Sequence, residues 1–211
     1  VHMPDSIISI NMLIQILDLF GTMAFAVTGA FKAIEHNSDI VGIVILSTIT
    51  GLAGGVMRDI IFGKFPPTAV VNSLYVIITV SSGIVIFSLS NTKETLEFIL
   101  KFDALGLGVF TLIGSASAYN VFGLNFLAMS FGGVLTAVGG GILRDVFVSE
   151  IPLVFTKEFY ASASFLGVIV LFIMLSLGVN LTLASIPAIM VVTAIRLVAM
   201  KYNWNMPHAR N

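Results

Sequence analysis

Long uncharged stretches divide the chain and predict membrane-spanning helices. Asp, Glu, Lys and Arg are absent from residues 40–57, 65–92, 104–143 and 159–195. A bilayer core about 30 Å thick needs roughly 20 helical residues, so each of the first two stretches predicts one helix. The third stretch would form a helix of about 60 Å at 1.5 Å per residue, which is twice the core thickness, and it therefore predicts two helices.

Polar and turn-forming residues indicate where the two longest stretches break. We expect breaks at residues 119–125 and 178–180, where Gly and Asn occur together. A further helix precedes these stretches and is interrupted only by Asp18. It lacks a basic leading segment, which argues against the alternative of a cleaved signal peptide. The prediction is an all-α integral membrane protein with seven transmembrane helices, at residues 9–31, 40–63, 67–90, 99–118, 124–148, 156–177 and 181–200.

The composition agrees with a membrane protein and excludes other classes. Of the 211 residues, 57% are hydrophobic and only 10% are charged, whereas soluble domains carry about 25% charged residues. The mean hydropathy is +1.06. A formal net charge of -1 leaves no basic surplus for a phosphate backbone, which excludes a nucleic-acid binder. Because the chain has no Cys, disulfides and thiolate metal sites are excluded as well.

The distribution of basic residues predicts the orientation in the membrane. In the seven-helix arrangement, only Arg58 and Lys64 lie on the side of the N-terminus. Cytoplasmic loops carry an excess of Lys and Arg, so we expect the N-terminus outside and the C-terminus in the cytoplasm. The opposite side carries Lys32, Lys93, Lys101, Arg144, Lys157, Arg196, Lys201 and Arg210.

The sequence contains an internal repeat, the most informative feature of the pattern. Residues 51–66 align with residues 137–152 at an offset of 86, and an earlier block aligns at an offset of 85. The identical pairs of the two blocks are Gly54/Gly140, Gly55/Gly141, Arg58/Arg144, Asp59/Asp145 and Pro66/Pro152, and Asp18/Asp103, Gly21/Gly106, Phe25/Phe110, Gly29/Gly114 and Ala33/Ala118.

The repeat predicts how one transmembrane domain, residues 1–211, is organised. Residues 8–92 form the first three-helix repeat, residues 99–177 the second, and residues 181–200 the seventh helix. Because three is an odd number, the second repeat enters the membrane from the opposite side, and the repeats are inverted. In transporters and related channels this architecture brings the functional site to the midplane, on discontinuous helices. We expect helices 2 and 5 to be discontinuous.

Glycine clusters occupy the middle of predicted helices 2 and 5. A glycine inside a helix costs about 1 kcal/mol relative to Ala, so adjacent glycines indicate a function. We expect a kink that frees backbone carbonyls to line a water-filled pathway, with close helix packing through small residues as the alternative. The candidate pore and kink residues are Gly51, Gly54, Gly55, Gly139, Gly140 and Gly141.

An Arg–Asp pair follows each glycine cluster by about one turn. Adjacent residues on a helix do not face each other, so we expect Arg58 and Asp59 to pair with other groups, and likewise Arg144 and Asp145. Across inverted repeats the pairs could ring the two mouths of a pathway. The alternative is an arginine that reaches the headgroups while its neighbour caps the helix end.

Further polar residues lie within the apolar helices. Asp18 is the deepest acid, and intramembrane carboxylates usually face a cavity or a partner. For Asp18 and its mate Asp103, the alternative is an interfacial carboxylate favoured by the helix dipole. Arg196 is interpreted as an interfacial anchor rather than a pore charge. Four hydroxyl side chains would allow water to contact helices 1 and 4, although such groups also join helices by hydrogen bonds. They are Thr22, Thr28, Thr111 and Ser115.

No catalytic or structural metal site is expected. The three histidines, His2, His36 and His208, lie in termini or a loop. The sequence offers no nucleophile–base pair and no phosphate-binding loop, so we expect neither an enzyme nor a cofactor.

With Gly-Gly-x-x-Arg-Asp in both halves of a seven-helix inverted-repeat frame, the sequence resembles the prokaryotic branch of the trimeric intracellular cation (TRIC) channel family over about residues 8–200. The resemblance implies a homotrimer in a bacterial inner membrane, in which every protomer has its own pore. Glycine-kinked helices 2 and 5 would line this pore with helices 1 and 4. K+ would be the principal permeant ion, and Na+ would also pass. Some bacterial relatives are classed as glycine transporters.

Three functions therefore stay open at this point. The first is a passive, K+-permeable cation channel, which suits a symmetric pair of glycine breaks with few buried charges. The second is a carrier for glycine or another small amino acid, for which inverted repeats are equally suitable. The third is a membrane scaffold in which the glycines only pack.

Overall fold

The computed structural model describes residues 5–89, 95–156, 159–202 and 204, with side chains from residue 12 onward except at residues 95–99. All regular elements within these residues are helices. Their bounds are α1 Asp5–Glu35, α2 Ile40–Ile61, α3 Thr68–Val71, α4 Ser73–Ser88, α5 Thr95–Phe122, α6 Phe126–Phe147, α7 Leu153–Thr156, α8 Ala161–Ser176 and α9 Leu181–Lys201. Five basic or histidine positions of the sequence analysis lie outside the described residues: His2, Lys93, Lys157, His208 and Arg210.

Length and composition make five of these helices candidates for crossing a membrane, namely α1 from Met12, α2, α5 from Leu100, α6 and α9. The apolar helices α4 and α8 have 16 residues each, or about 24 Å at 1.5 Å per residue. The predicted single helix at 67–90 is wrong in detail, because it consists of α3 and α4 with Asn72 between them. The predicted helix at 156–177 corresponds to α8, which begins only at Ala161, and the four-residue α7 precedes it.

Polar caps fix the ends of the long helices. Asp39 accepts a hydrogen bond from Gly42 N at the start of α2, Asn125 does the same for Ala128 N at the start of α6, and Asn180 for Leu183 N at the start of α9. Such side-chain caps satisfy backbone N–H groups that have no partner within the helix. The predicted breaks at 119–125 and 178–180 are confirmed, although α5 extends to Phe122. In each break a glycine adopts a positive φ, 66° at Gly123 and 80° at Gly178.

The first and second halves of the chain meet at the centre of the molecule. Helix α1 packs against α2, α4 and α5, while α5 packs against α6, α8 and α9. Helices α2 and α6 cross each other directly. The largest part of the core lies where α1 and α5 meet, around the fully buried side chains of Phe25, Leu107 and Phe110.

Reciprocal contacts between α2 and α6 define a pseudo-two-fold axis. A Cβ at Gly54 would overlap the carbonyl oxygen of Thr136, and a Cβ at Gly140 would overlap that of Thr50. Gly54 is equivalent to Gly140, and Thr50 to Thr136, so each contact repeats the other with the two helices exchanged, as in an isologous interface. From Thr50 to Gly54 along α2, the contacted residue on α6 changes from Gly140 back to Thr136, so the two helices are antiparallel. The axis is therefore perpendicular to the helices and lies in the membrane plane, so the two halves are inverted.

The two glycine-containing helices are continuous. Helices α2 and α6 run without interruption through Gly51, Gly54 and Gly55 and through Gly139–Gly141. The expectation that they are discontinuous is therefore wrong. The glycines instead allow two backbones to touch at the crossing, because no Cβ fits between Gly54 and the Thr136 carbonyl.

Candidate functional site

Arg58 of α2 bonds two carboxylates, that of Asp18 on α1 and that of Asp59 on its own helix. Its Nη1 and Nη2 donate to Asp18 Oδ1 and Oδ2, both at 3.3 Å, and its Nε donates to Asp59 Oδ1 at 2.9 Å. All three side chains are buried. The expectation that Arg58 and Asp59 pair with other groups is confirmed by Asp18 and Thr68. The two residues also bond each other, which was not expected, since the long arginine side chain bends back onto its neighbour in sequence.

Two further residues complete this cluster. Thr68, the first residue of α3, donates from its N and its Oγ1 to Asp59 Oδ2 at 2.7 and 2.6 Å. Tyr75 of α4 donates its hydroxyl to Asp18 Oδ2 at 2.8 Å. Arg58, Asp18, Asp59, Thr68 and Tyr75 are named here the first charge cluster, and they join all four helices of the first repeat.

The second repeat carries an equivalent arrangement. Arg144 donates to Asp103 Oδ1 at 3.0 Å and to Asp145 Oδ1 at 2.8 Å, and Leu153 N, in α7, donates to Asp145 Oδ2 at 2.8 Å. Arg144 therefore also bonds its neighbour in sequence, contrary to expectation. Arg144 and Asp103 are completely enclosed, with side-chain exposures of 1% and 0%.

Tyr160 belongs to this second charge cluster, together with Arg144, Asp103 and Asp145. It is the repeat equivalent of Tyr75, and its buried hydroxyl interacts electrostatically with Asp103. Unlike Tyr75, it forms no hydrogen bond within the described residues, and Asp103 Oδ2 forms none there either. Neither tyrosine was predicted from the sequence, although their offset of 85 equals that of the aspartates they face.

Arg196 of α9 lies against the second cluster. Its guanidinium carbon is 4.6 Å from the centroid of the Tyr160 ring, and the residue is only 2% exposed. A cation over an aromatic ring is attracted by the ring quadrupole. The interpretation of Arg196 as an interfacial anchor is therefore wrong, because the side chain is enclosed by protein.

A cavity of about 470 Å³ opens onto the first charge cluster. All five residues of the cluster line it, and Phe62, Lys64, Ile113 and Asn120 are among the other lining residues. Beyond the cluster lies a space of about 10 Å³ between Asp18, Thr22, Gly51 and Gly55. A volume of this size corresponds to about one water molecule.

The remaining predicted residues divide between the clusters and the helix contacts. Thr28 accepts a hydrogen bond from Arg144 Nη1 at 3.0 Å. Thr111 lies 2.7 Å from Ser164 Oγ, and Ser115 donates to Met129 O at 3.0 Å. Thr111 and Ser115 thus join neighbouring helices and do not line the cavity. A Cβ at Gly141 would lie 3.1 Å from the Tyr160 hydroxyl and 3.8 Å from Arg144 Nη2.

An ion cluster near the surface joins the end of α1 to the segment between α6 and α7. Glu150, between α6 and α7, accepts from Lys32 Nζ and from His36 Nε2, each at 2.8 Å. The hydrogen bond from Lys32 and that from His36 hold the pKa of Glu150 below its usual range. The repeat equivalent of Glu150 is Lys64, which lies in the wall of the open cavity.

The described residues contain no group of three or more His, Asp or Glu side chains that could hold a metal ion. The carboxylates of the first cluster are already occupied by Arg58, Thr68 and Tyr75.

Comparison with known proteins places the chain among membrane proteins. A family model described as glycine transporter matches residues 15–91 and again residues 100–176. The two matches begin 85 residues apart, which is the offset of the internal repeat. The UPF0126 inner membrane protein YadS of Escherichia coli K12 is 33% identical over 199 residues, which cover 93% of this chain and 96% of the relative.

Solved structures show the same fold. One TRIC cation channel structure has a TM-score of 0.85 and 34% identity, covering 93% of this chain and 97% of that chain. The TRIC channel orthologue from Rhodobacter sphaeroides has a TM-score of 0.86 and 30% identity, covering 91% of this chain and 99% of that chain.

Proposed function

The chain belongs to the glycine transporter family and has the fold of the trimeric intracellular cation channels, and on this premise we propose that it is a cation channel permeable to K+ and Na+. Each protomer of a homotrimer holds its own pore. The observation that carries the proposal is the cavity of about 470 Å³, which leads to the first charge cluster beside the glycine crossing.

The carboxylates of the cluster offer contacts to a cation. Asp18 and Asp59 line the cavity with Arg58 and Lys64, so its ionisable groups balance, and a cation is attracted locally at the carboxylate oxygens rather than by a net charge of the cleft. Arg58 and Tyr75 already occupy the Asp18 oxygens, so an entering ion binds weakly. Weak contacts are required for conduction, since an ion that binds tightly does not leave.

Passage through the cluster requires Arg58 to move. Its bonds to Asp18, at 3.3 Å, are longer than its bond to Asp59, at 2.9 Å, so Asp18 is the partner that it releases more easily. The pathway then continues past Gly51 and Gly55 toward the crossing of α2 and α6. On the other side it reaches Gly139, Gly141 and the second cluster, whose burial makes this a closed state.

We also propose the orientation that the basic residues predict, with the N-terminus outside and the C-terminus in the cytoplasm of a bacterial inner membrane. Two observations support it. Basic residues stand in the last turns of three helices on the proposed cytoplasmic side, Lys32, Arg144 and Lys201, against one, Arg58, on the other side, and the Escherichia coli relative is described as an inner membrane protein. Accessibility of single introduced cysteines from either side of the membrane tests the orientation, because the chain has no other Cys.

The channel is tested with purified protein in a planar bilayer under a KCl gradient. Discrete unitary currents that reverse near the K+ equilibrium potential are expected. Gly55→Val should reduce the unitary conductance, because a Cβ at Gly55 meets only Arg58 Nη2, at 3.8 Å, and a larger side chain would occupy the small space behind Asp18. Leu127→Ala, at a position 78% exposed, is the control. A folded trimer without unitary currents would contradict the channel.

A carrier for glycine is the second candidate. The cavity is open at Asp18 while Arg144 is enclosed, and alternating access between inverted repeats produces this kind of one-sided opening. A cavity containing Asp18, Arg58 and Lys64 offers partners for both ends of a small amino acid. Saturable glycine uptake that is lost in Asp18→Asn would support the carrier, whereas linear flux would exclude it.

A further inference from the structure

The two arginines of the charge clusters are held differently, although the repeats are equivalent in sequence around them. Arg144 Nη1 donates to Thr28 Oγ1 at 3.0 Å, and the same hydroxyl donates to Phe25 O at 2.8 Å. Thr28 is on α1, so this bond joins the second cluster to the first repeat. The two bonds use the hydroxyl both as acceptor and as donor, which fixes its orientation.

The equivalent position beside Arg58 has no hydroxyl. An offset of 85 from Thr28 gives Ile113 of α5, which lines the cavity together with Arg58. An isoleucine side chain cannot accept a hydrogen bond. Arg58 therefore lacks the bond to the other repeat that Arg144 has. One pair of equivalent residues, Thr28 and Ile113, accounts for this difference.

The bonds to the aspartate of the facing helix also differ. Arg144 donates to Asp103 through Nη1 at 3.0 Å, whereas Arg58 donates to Asp18 through Nη1 and Nη2, both at 3.3 Å. The bonds to the neighbour in sequence are alike, at 2.8 Å for Asp145 and 2.9 Å for Asp59. Helix α9 has no counterpart within the repeats, and its Arg196 packs on Tyr160 only at the second cluster. The second cluster is thus fixed by α1, α5 and α6 and covered by α9.

We propose that Thr28 is a positioning residue that holds Arg144 across the closed end of the pathway, and that loss of its hydrogen bond opens this end. The proposal rests on the proposed transport function. Thr28 acts through Arg144 and does not itself contact the ion. Arg58 has no hydrogen bond to the other repeat that must break before it moves. The second cluster therefore determines the fraction of time for which the pathway is open from end to end.

Three substitutions at the equivalent positions test the proposal in planar bilayers. Thr28→Val keeps the shape of the side chain without its hydroxyl, and Thr28→Ser keeps the hydroxyl. Ile113→Thr provides Arg58 with the acceptor that it lacks. Thr28→Val should raise the open probability about tenfold, a change of about 1.4 kcal/mol, with the unitary conductance unchanged. Thr28→Ser should resemble the wild type, and Ile113→Thr should lower the open probability.

The opposite effects of Thr28→Val and Ile113→Thr distinguish positioning from general destabilisation. A merely structural role would lower the unfolding temperature in both variants and change the open probability in the same direction. That result, or a wild-type open probability in a folded Thr28→Val variant, would overturn the proposal.

A labelling experiment keeps the proposal testable if the wild-type protein conducts no current. Gly141→Cys introduces a single thiol next to Arg144 into a chain without other Cys. A water-soluble thiol reagent should label the Gly141→Cys/Thr28→Val double variant about tenfold faster than Gly141→Cys alone. Equal rates would overturn the role of Thr28, whereas absent currents together with faster labelling would overturn only the channel.

Discussion

Phe25 and Phe110 face each other across the pseudo-two-fold axis, with their ring centroids 5.2 Å apart and their planes inclined by 30°. Both rings are fully buried. Phe110 lies against Gly21 and Phe25 lies against Gly106, and these two glycines are equivalent in the repeats. A Cβ at Gly21 would be 2.7 Å from Phe110, and a Cβ at Gly106 would be 3.2 Å from Phe25. The centre of the molecule is thus a tightly packed contact between the repeats, and the charge clusters lie away from it.

Because α2 and α6 cross closely, substitutions of the neighbouring Gly54 and Gly55 should affect the stability of the protein differently. Gly54→Ala should destabilise the protein by about 3 kcal/mol, the upper range for overpacking, because the new Cβ would overlap the backbone carbonyl of Thr136. Gly55→Ala should be neutral or stabilise by up to about 1 kcal/mol through helix propensity. Thermal unfolding in detergent measures both. Equal unfolding temperatures of the two variants would contradict the tight crossing.

Tyr75 and Tyr160 should respond differently to loss of their hydroxyls. Tyr75→Phe removes a hydrogen bond of 2.8 Å to the Asp18 carboxylate and should cost about 2 kcal/mol, the range for bonds to charged groups. Tyr160→Phe removes a buried hydroxyl that has no hydrogen-bond partner within the described residues, so the change should be close to zero or stabilising. Chemical denaturation of the two variants provides the comparison, and a larger loss for Tyr160→Phe would refute it.

The two aspartates that face the arginines differ in their surroundings. Asp103→Asn should destabilise by about 3 kcal/mol, because it removes one partner of a buried ion pair whose side chain is 0% exposed. Asp18→Asn should cost less, since its cluster borders the open cavity, whereas the second neighbour of each arginine, Asp59 or Asp145, is retained in both variants. Unfolding temperatures of the two variants and the wild type test this order. The reverse order would mean that the cavity does not hydrate the first cluster.

The ion cluster at Glu150 predicts a dependence of stability on pH. Its pKa is lowered in the folded protein, so its contribution is fully present above the ordinary glutamate value of about 4.3 and is lost as the pH falls through the lower, folded pKa. Glu150→Gln should therefore unfold at a lower temperature than the wild type at pH 7. The difference should vanish in strongly acidic solution.

Glu35 provides the matched control for this prediction. It bonds Lys32 at 3.0 Å within one helix, whereas Glu150 bonds Lys32 and His36 from the other repeat. Exposed pairs within a helix contribute only about 0.3–0.5 kcal/mol, so Glu35→Gln should change the pH profile little. If Glu35→Gln reproduced the effect of Glu150→Gln, the connection between the repeats would not be responsible.

Much of the fold follows from features that are local in sequence. The uncharged stretches and the Gly and Asn breaks predicted the apolar helices and the turns at Gly123 and Gly178, since helix length and turn conformation depend on neighbouring residues. Where the pattern failed, at 67–90, Asn72 separates a short helix from the apolar one. The absence of charged residues from 65–92 hid this division, whereas Lys157 and Glu158 stand in the sequence shortly before the later start of α8.

The sequence by itself determined the membrane class, the inverted repeat and the residues of both Arg–Asp pairs, since these depend on composition and on similarity between two parts of one chain. Only the tertiary structure decided what these residues contact. In the folded protein the glycines lie at a helix crossing, Tyr75 contacts Asp18, and Arg196 contacts Tyr160. Arg144 also has the bond to Thr28 that Arg58 lacks. The physical reason is that such contacts join side chains far apart in sequence, and their distances depend on how the apolar helices pack together.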